Sequence, residues 1–224
     1  MRGVYTFFLF AFSFLRAEGI IECFVKEEAV ALSQSVYGWC SDEKAAAFAQ
    51  LVLDVQPEVC VEIGVFGGKS LLPVASALKA LGKGVVIGID PFDGEVASKN
   101  YDPILESSDV AYWAQVDFKG LYSHLANQLR KYSLNEYVLL IKNTSDTPTF
   151  LLPPIDILYI DGCLTEAASS QDVSLYLPLV KKGGYIWVSN VAFEERQAAI
   201  EILETACDFV KAIESGSSAL FKKR

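Results

Sequence analysis

One stretch, Glu58 to Phe92, constrains the fold of this chain more than any other. Val59 to Ile63 is an apolar, β-branched run with the length of a buried strand. It ends in Glu62-Ile63-Gly64 and then Val65-Phe66-Gly67-Gly68. Leu71, Leu72, Ala75, Leu78 and Leu81 follow at helical spacing, with Gly82 and Gly84 closing that segment. A second apolar run, Val85 to Ile89, stops at Asp90. Strand, glycine turn, helix, strand and acid make one βαβ unit, the building block of a parallel sheet covered by helices.

The chemistry open to this unit lies in its glycines and acids. Gly64, Gly67 and Gly68 permit positive φ and place no Cβ in the way of a ligand lying on the backbone. The helix that follows presents free N–H groups to the same place. Asp90, at a strand tip, can accept hydrogen bonds from two vicinal hydroxyls, as the acid that holds a ribose does. A nicotinamide fingerprint needs a glycine two residues before Gly64, where this chain has Glu62. Gly68-Lys69-Ser70 looks like the tail of a phosphate-binding P-loop, but Ile63 stands where its first glycine belongs.

What E-x-G-x-x-G-G resembles is motif I of class I S-adenosylmethionine-dependent methyltransferases. Gly88-Ile89-Asp90-Pro91-Phe92, Tyr159-Ile160-Asp161-Gly162 and Pro178 to Ile186 are similar to successive landmarks of the small O-methyltransferase branch, which includes macrocin-type and catechol-type enzymes. The resemblance runs from Ser41 to the C-terminus. It implies a doubly wound, mostly parallel seven-stranded sheet with helices on both faces and a C-terminal antiparallel hairpin. It also implies S-adenosylmethionine as cofactor and O-methylation of a small molecule. Glu62, Gly64, Gly67 and Gly68 would hold the amino-acid end of the cofactor, Asp90 its ribose, and Ser70 would also bind the cofactor. Asp161 would face the acceptor as the catalytic group. Ser145, in the loop after the third strand, either contacts the adenine or caps the turn before Phe150.

Two positions depart from that branch. Its metal-using members hold Mg²⁺ with carboxylates at the ends of the fourth and fifth strands. Here Asp161 stands at the fourth, but the fifth offers Ser189-Asn190, and Cys163 replaces the acid or histidine often found two residues past Asp161. A hard cation prefers anionic oxygen, so no metal ligand is assigned and Mg²⁺ dependence is not expected, unless Asp172 or another acid substitutes. A methyltransferase-like binding protein without turnover is the alternative reading.

Other features bound the function. The 224 residues suit one domain, and 52% hydrophobic content argues against disorder. A net charge of -9 sets the surface against phosphate backbones, so no nucleic-acid partner is expected. Five cysteines form no C-x-x-C pair, and Cys60 falls inside a core strand. The single histidine, His124, sits on a helix with no partner of catalytic type nearby in sequence.

The amino terminus, Met1-Arg2 followed by a phenylalanine-rich run to Leu15 and then Arg16-Ala17, predicts a signal peptide over residues 1–17. It leaves a single domain over 18–224, exported and without stable membrane insertion. A buried N-terminal helix in a cytoplasmic protein is the alternative. Export conflicts with a cofactor made in the cytosol.

Further on, helices are expected over Glu27–Val36, Glu43–Val55 (capped by Ser41-Asp42), Val116–Tyr132, Thr165–Leu175 and Ala192–Ala206. Strands are expected over Tyr137–Ile141, Ile155–Ile160 and Tyr185–Val188, and Gly183-Gly184 is read as the turn into the last of these. Phe209–Ile213 and Ala219–Lys222 read as the terminal hairpin. Phe92 to Trp113 reads as an irregular, loop-rich stretch.

Overall fold

The computed structural model describes residues 19–99, 107–147 and 149–224. The expected signal peptide lies outside the described residues. A helix, α1, covers residues 19–34, and α2 spans Asp42–Val55. Ser41 caps α2 by accepting from the Lys44 amide, an arrangement that contributes about 1 kcal/mol to a helix start. Gln56 ends α2 in a left-handed conformation, and Pro57 follows.

The βαβ unit forms as expected: β1 is Val59–Ile63, α3 Leu71–Leu81 and β2 Val85–Asp90. The stretch read as irregular holds two helices, α4 (Gly94–Ser98) and α5 (Ser107–Gln115). Asp93 is the local reason for the first, since its carboxylate accepts from the amides of Glu95 and Val96. Next come α6 (Phe118–Lys131), β3 (Val138–Lys142), β4 (Ile155–Ile160), α7 (Glu166–Tyr176) and β5 (Val180–Ser189). The chain closes with α8 (Gln197–Ala206), β6 (Cys207–Ile213) and β7 (Ser218–Lys223). Gly183-Gly184 is a bulge within β5 rather than a turn before it: the register against β4 jumps from Ile155↔Val180 to Ile157↔Tyr185.

The seven strands lie in the order β3-β2-β1-β4-β5-β7-β6. β1 to β5 run parallel, and β7 pairs antiparallel with β5 and β6. The order reverses between β1 and β4, and an open α/β sheet places its ligand crevice outside the carboxyl ends of the strands at such a point. Side chains alternate between two cores. Cys60, Tyr159 and Trp187 join the face with Phe48 of α2 and Leu71 of α3, whereas Val61, Leu158 and Val188 join the face with Val173 of α7 and Leu203 of α8. Phe48 anchors α2, stacking on Trp187 with centroids 3.9 Å apart and meeting Tyr159 edge-on at 4.7 Å. No helix among the described residues is long and apolar enough to cross a membrane.

Candidate active site

A cleft of about 1170 Å³ opens at the carboxyl ends of β1, β2, β4 and β5. Gly64, Ser70, Asp90, Ser145 and Asp161, five residues expected at a site, all line it. They come from four segments spread over nearly 100 positions. The sheet order brings them together, because Gly64, Asp90, Ser145 and Asp161 sit at or just past strand ends and Ser70 opens the helix that follows β1.

On the β1–β2 side, the turn is built by close packing of protein on protein. Gly64 (φ +85) and Gly68 (φ +86) need their positive φ, as expected. The space beside these glycines is filled from within, however. A Cβ on Gly64 would strike the Asp161 carbonyl oxygen, one on Gly67 the Tyr37 carbonyl oxygen, and one on Gly68 the Leu125 side chain. Gly67 and Gly68 do not line the cleft, so their role corrects from ligand approach to packing the turn against Tyr37 and Leu125. Gly67 has no positive φ; that strain falls on Phe66 (φ 51).

Glu62 also sits elsewhere than expected. It is 1% exposed, one layer beneath the wall, and accepts a 2.5 Å hydrogen bond from Ser70 Oγ. Burial pushes its carboxyl well above the usual range, against the Ser70 bond and with Asp161 and Asp90 adding to the rise. Its Oε2 has no hydrogen-bond partner. Ser70 is therefore the member of the pair that lines the cleft.

Asp90 is held from both sides. Phe66 N donates to Oδ2 at 2.9 Å and Phe92 N to Oδ1 at 2.7 Å. Burial raises its carboxyl, and these backbone donors oppose the rise. The Val65 amide adds to these donors, and the carboxylate still lines the cleft, where it can accept from a ligand hydroxyl. Ser145 lines the cleft, but its hydroxyl donates to Asp172 at 2.6 Å, and its carbonyl accepts from Tyr176. Through these two bonds α7 clamps the Ser145 loop.

The β4–β5 side is a hydrogen-bonded chain of polar groups. Tyr159 OH donates to Asp161 Oδ2 at 2.5 Å, and Asn190 Nδ2 donates to Oδ1 at 3.2 Å. Tyr159 OH also lies 2.7 Å from Ser189 Oγ, which accepts from Lys44 Nζ at 2.9 Å. Burial raises the Asp161 carboxyl, with Lys44, Tyr159 and Arg196 pulling the other way. Burial followed by the Asp161 charge holds the Tyr159 phenol well above its ordinary value. Arg196 is fully buried and braces the loop after β4, donating to Ser169 Oγ at 2.8 Å and to the Gly162 carbonyl at 3.0 Å.

Lys44 was invisible to motif reading, yet a signal existed. It occupies the apolar face of α2, one turn before Phe48, where a leucine or alanine would be ordinary. A cation in the first turn also opposes the helix dipole. The residues present do not fit Mg²⁺. Among the described residues Asp161 gives the only carboxylate at the ends of β4 and β5, and the β5 position, Ser189, is engaged by an ammonium. Asp172, on α7, is engaged by Ser145 on the other side of the cleft from Ser189 and Lys44.

The cleft mouth is aromatic. Trp39 stacks on Phe66 at 5.0 Å, and Tyr112 and Trp113 meet Trp39 at 6.0 and 6.3 Å. Trp39 is 60% exposed and lines the cleft. His124 lies outside, near the Ser35 carbonyl and Gln128.

Comparison with known proteins agrees with this architecture. The model of a family described as a methyltransferase domain matches residues 61–191. No curated protein matches the chain. Among solved structures, the O-methyltransferase NovP is similar at 18% identity, with 82% of this chain and 80% of that one covered and a TM-score of 0.67. The methyltransferase PaMTH1 of Podospora anserina, solved with SAH, covers 95% of each chain at 13% identity and a TM-score of 0.61. TomG of Streptomyces achromogenes, an O-methyltransferase solved with SAM, is 14% identical over 80% of this chain and 78% of its own, with a TM-score of 0.56. Matched over more than half its length, and carrying the motif I turn at the mouth of a seven-stranded sheet of this order, the chain belongs to the methyltransferase domain family.

Proposed function

We propose that this protein transfers a methyl group from S-adenosylmethionine to an oxygen of a small molecule. The observation that carries the proposal is the shared cleft: Ser70 and Asp90 on one wall face the same space as Asp161 on the other. Its volume suits a nucleoside and a compact second molecule together. The donors and acceptors fit the cofactor. Asp90 accepts from the ribose hydroxyls, and Ser70, held by Glu62, meets the amino-acid end. The Ser145 loop, held by Asp172 and Tyr176, borders the adenine.

When bound, the cofactor supplies a methyl carbon on a sulfonium, whose sulfur keeps the bonding pair as the carbon passes to oxygen. The protein's share is alignment and removal of one proton. Asp161 takes the proton of the acceptor hydroxyl. Tyr159 and Asn190 fix that carboxylate by donating to one oxygen each. Trp39, Tyr112 and Trp113 favour an acceptor with a flat apolar body. Calorimetry with adenosylhomocysteine tests the cofactor site, and methyl release from labelled adenosylmethionine over a panel of hydroxylated aromatics tests turnover. Failure to bind adenosylhomocysteine sinks the reading.

The altered strand-five position, Ser189, favours a second reading, a binding protein that keeps the pocket without turnover. Tight adenosylhomocysteine binding with no methyl release from any acceptor would select it. Export through a signal peptide over 1–17 belongs to the same reading, and mass analysis of the mature N-terminus decides it.

A further inference from the structure

We infer that the ammonium of Lys44 stands in for the divalent cation in this cleft, so that the site is built around one fixed protein charge. The inference deepens the reading of the β4–β5 wall as the acceptor side and rests on it. Lys44 is 6% exposed, although a lysine is almost never buried without a task. Its Nζ lies 2.9 Å from Ser189 Oγ, at the end of β5, and 3.9 Å from Glu214 Oε2. Ser189 is the residue where a carboxylate ligand would stand in a metal-using relative. An acid there would have to pair with the ammonium; a hydroxyl can accept from it and pass a proton on.

The hydrogen bonds then have one direction. Tyr159 OH gives its proton to Asp161, so between Tyr159 and Ser189 the serine donates. Ser189 in turn accepts from Lys44. Lys44, Ser189, Tyr159 and Asp161 thus form a chain with every donor aimed at the carboxylate and a positive charge at its far end. Tertiary packing sets the spacing. Phe48 of α2 rests on Tyr159 and Trp187, and Lys44, one helical turn earlier, falls over the next same-face residues of those strands, Asp161 and Ser189. Lys44 is a positioning residue: it touches Ser189, and through it orients the group that meets the acceptor.

The test uses the full chain, Mn²⁺ followed by electron paramagnetic resonance, and adenosylhomocysteine binding as an independent control. Wild type is expected to take up no more Mn²⁺ than Asp161→Asn. The double variant Lys44→Met with Ser189→Asp restores two carboxylates and removes the ammonium, and should bind Mn²⁺ about tenfold or more tighter than wild type. Ser189→Asp alone, with Lys44 in place, should not. Adenosylhomocysteine affinity should stay within about twofold in all of them, because the β1–β2 wall is untouched. Stoichiometric Mn²⁺ binding by wild type that Asp161→Asn abolishes would overturn the inference. So would a folded double variant that binds no Mn²⁺. Should the double variant not fold, the comparison of wild type with Asp161→Asn still decides. Absence of adenosylhomocysteine binding would count against the cofactor reading and leave the Mn²⁺ outcomes to decide this one.

Discussion

The two walls of the cleft are built on different principles. The β1–β2 wall is a backbone device, made of a glycine turn, one strand-tip acid and amides that close on it. The β4–β5 wall is a side-chain device, in which four polar groups from β4, β5 and α2 are ordered end to end. A backbone device is coded by adjacent residues and keeps its motif. A side-chain device can exchange members across the fold so long as charge and donors balance. The first wall therefore follows the family pattern, and the second departs from it.

The sharpest way to break this contrast is Gly67→Ala. The added methyl would collide with the Tyr37 carbonyl, and the chain should lose about 3 kcal/mol or more of stability, read by urea unfolding. A variant that folds normally and loses only ligand affinity would restore the ligand role first expected of that glycine. Asp161→Asn comes next. It should lower methyl transfer by roughly 10²–10⁴-fold while leaving adenosylhomocysteine affinity nearly unchanged. Loss of binding with loss of turnover would mean that the two walls are not separable. Asp90→Ala should do the reverse, weakening adenosylhomocysteine by more than about tenfold in calorimetry. An unchanged affinity would remove the ribose contact.

The smallest effect concerns Asp172, between the walls. Burial raises its carboxyl to about 6, with Ser145 and Arg196 opposing and Asp146 assisting. In the unfolded chain it titrates near the ordinary aspartate value of 3.8. Between these values the native state holds the extra proton, so stability falls as pH rises through the window. The loss is about 2–3 kcal/mol at most. Asp172→Asn keeps an acceptor for Ser145 and should flatten that slope, seen in urea midpoints at about pH 4 and about pH 7. An unaltered slope would mean that Asp172 is not the group that responds.

Local pattern reaches some of this and misses the rest for physical reasons. The glycine turn, Asp90 and Asp161 are legible because each is marked by the end of an apolar strand. Ser41 is legible as a cap for the same kind of reason, its partner being three residues away. The α4 and α5 helices were missed because their stretch is rich in loop-forming residues, and Asp93 acted as a cap inside it. Glu62 was placed in contact with ligand because a motif gives order along the chain and says nothing of depth. Its carboxyl points to Ser70, eight residues on.

By itself, then, the sequence determined the order of the seven strands and of the helices other than α4 and α5, the turn that opens the cleft and the acids at two strand tips. These depend on residues within a few positions of each other, and short-range sterics and periodicity settle them. Only the tertiary structure decided that Lys44 meets Ser189, 145 residues away, and that Gly67 faces a carbonyl rather than a ligand. Such pairings arise when α2 docks through Phe48 on the sheet, and no local rule carries the position of a helix relative to strands folded far along the chain.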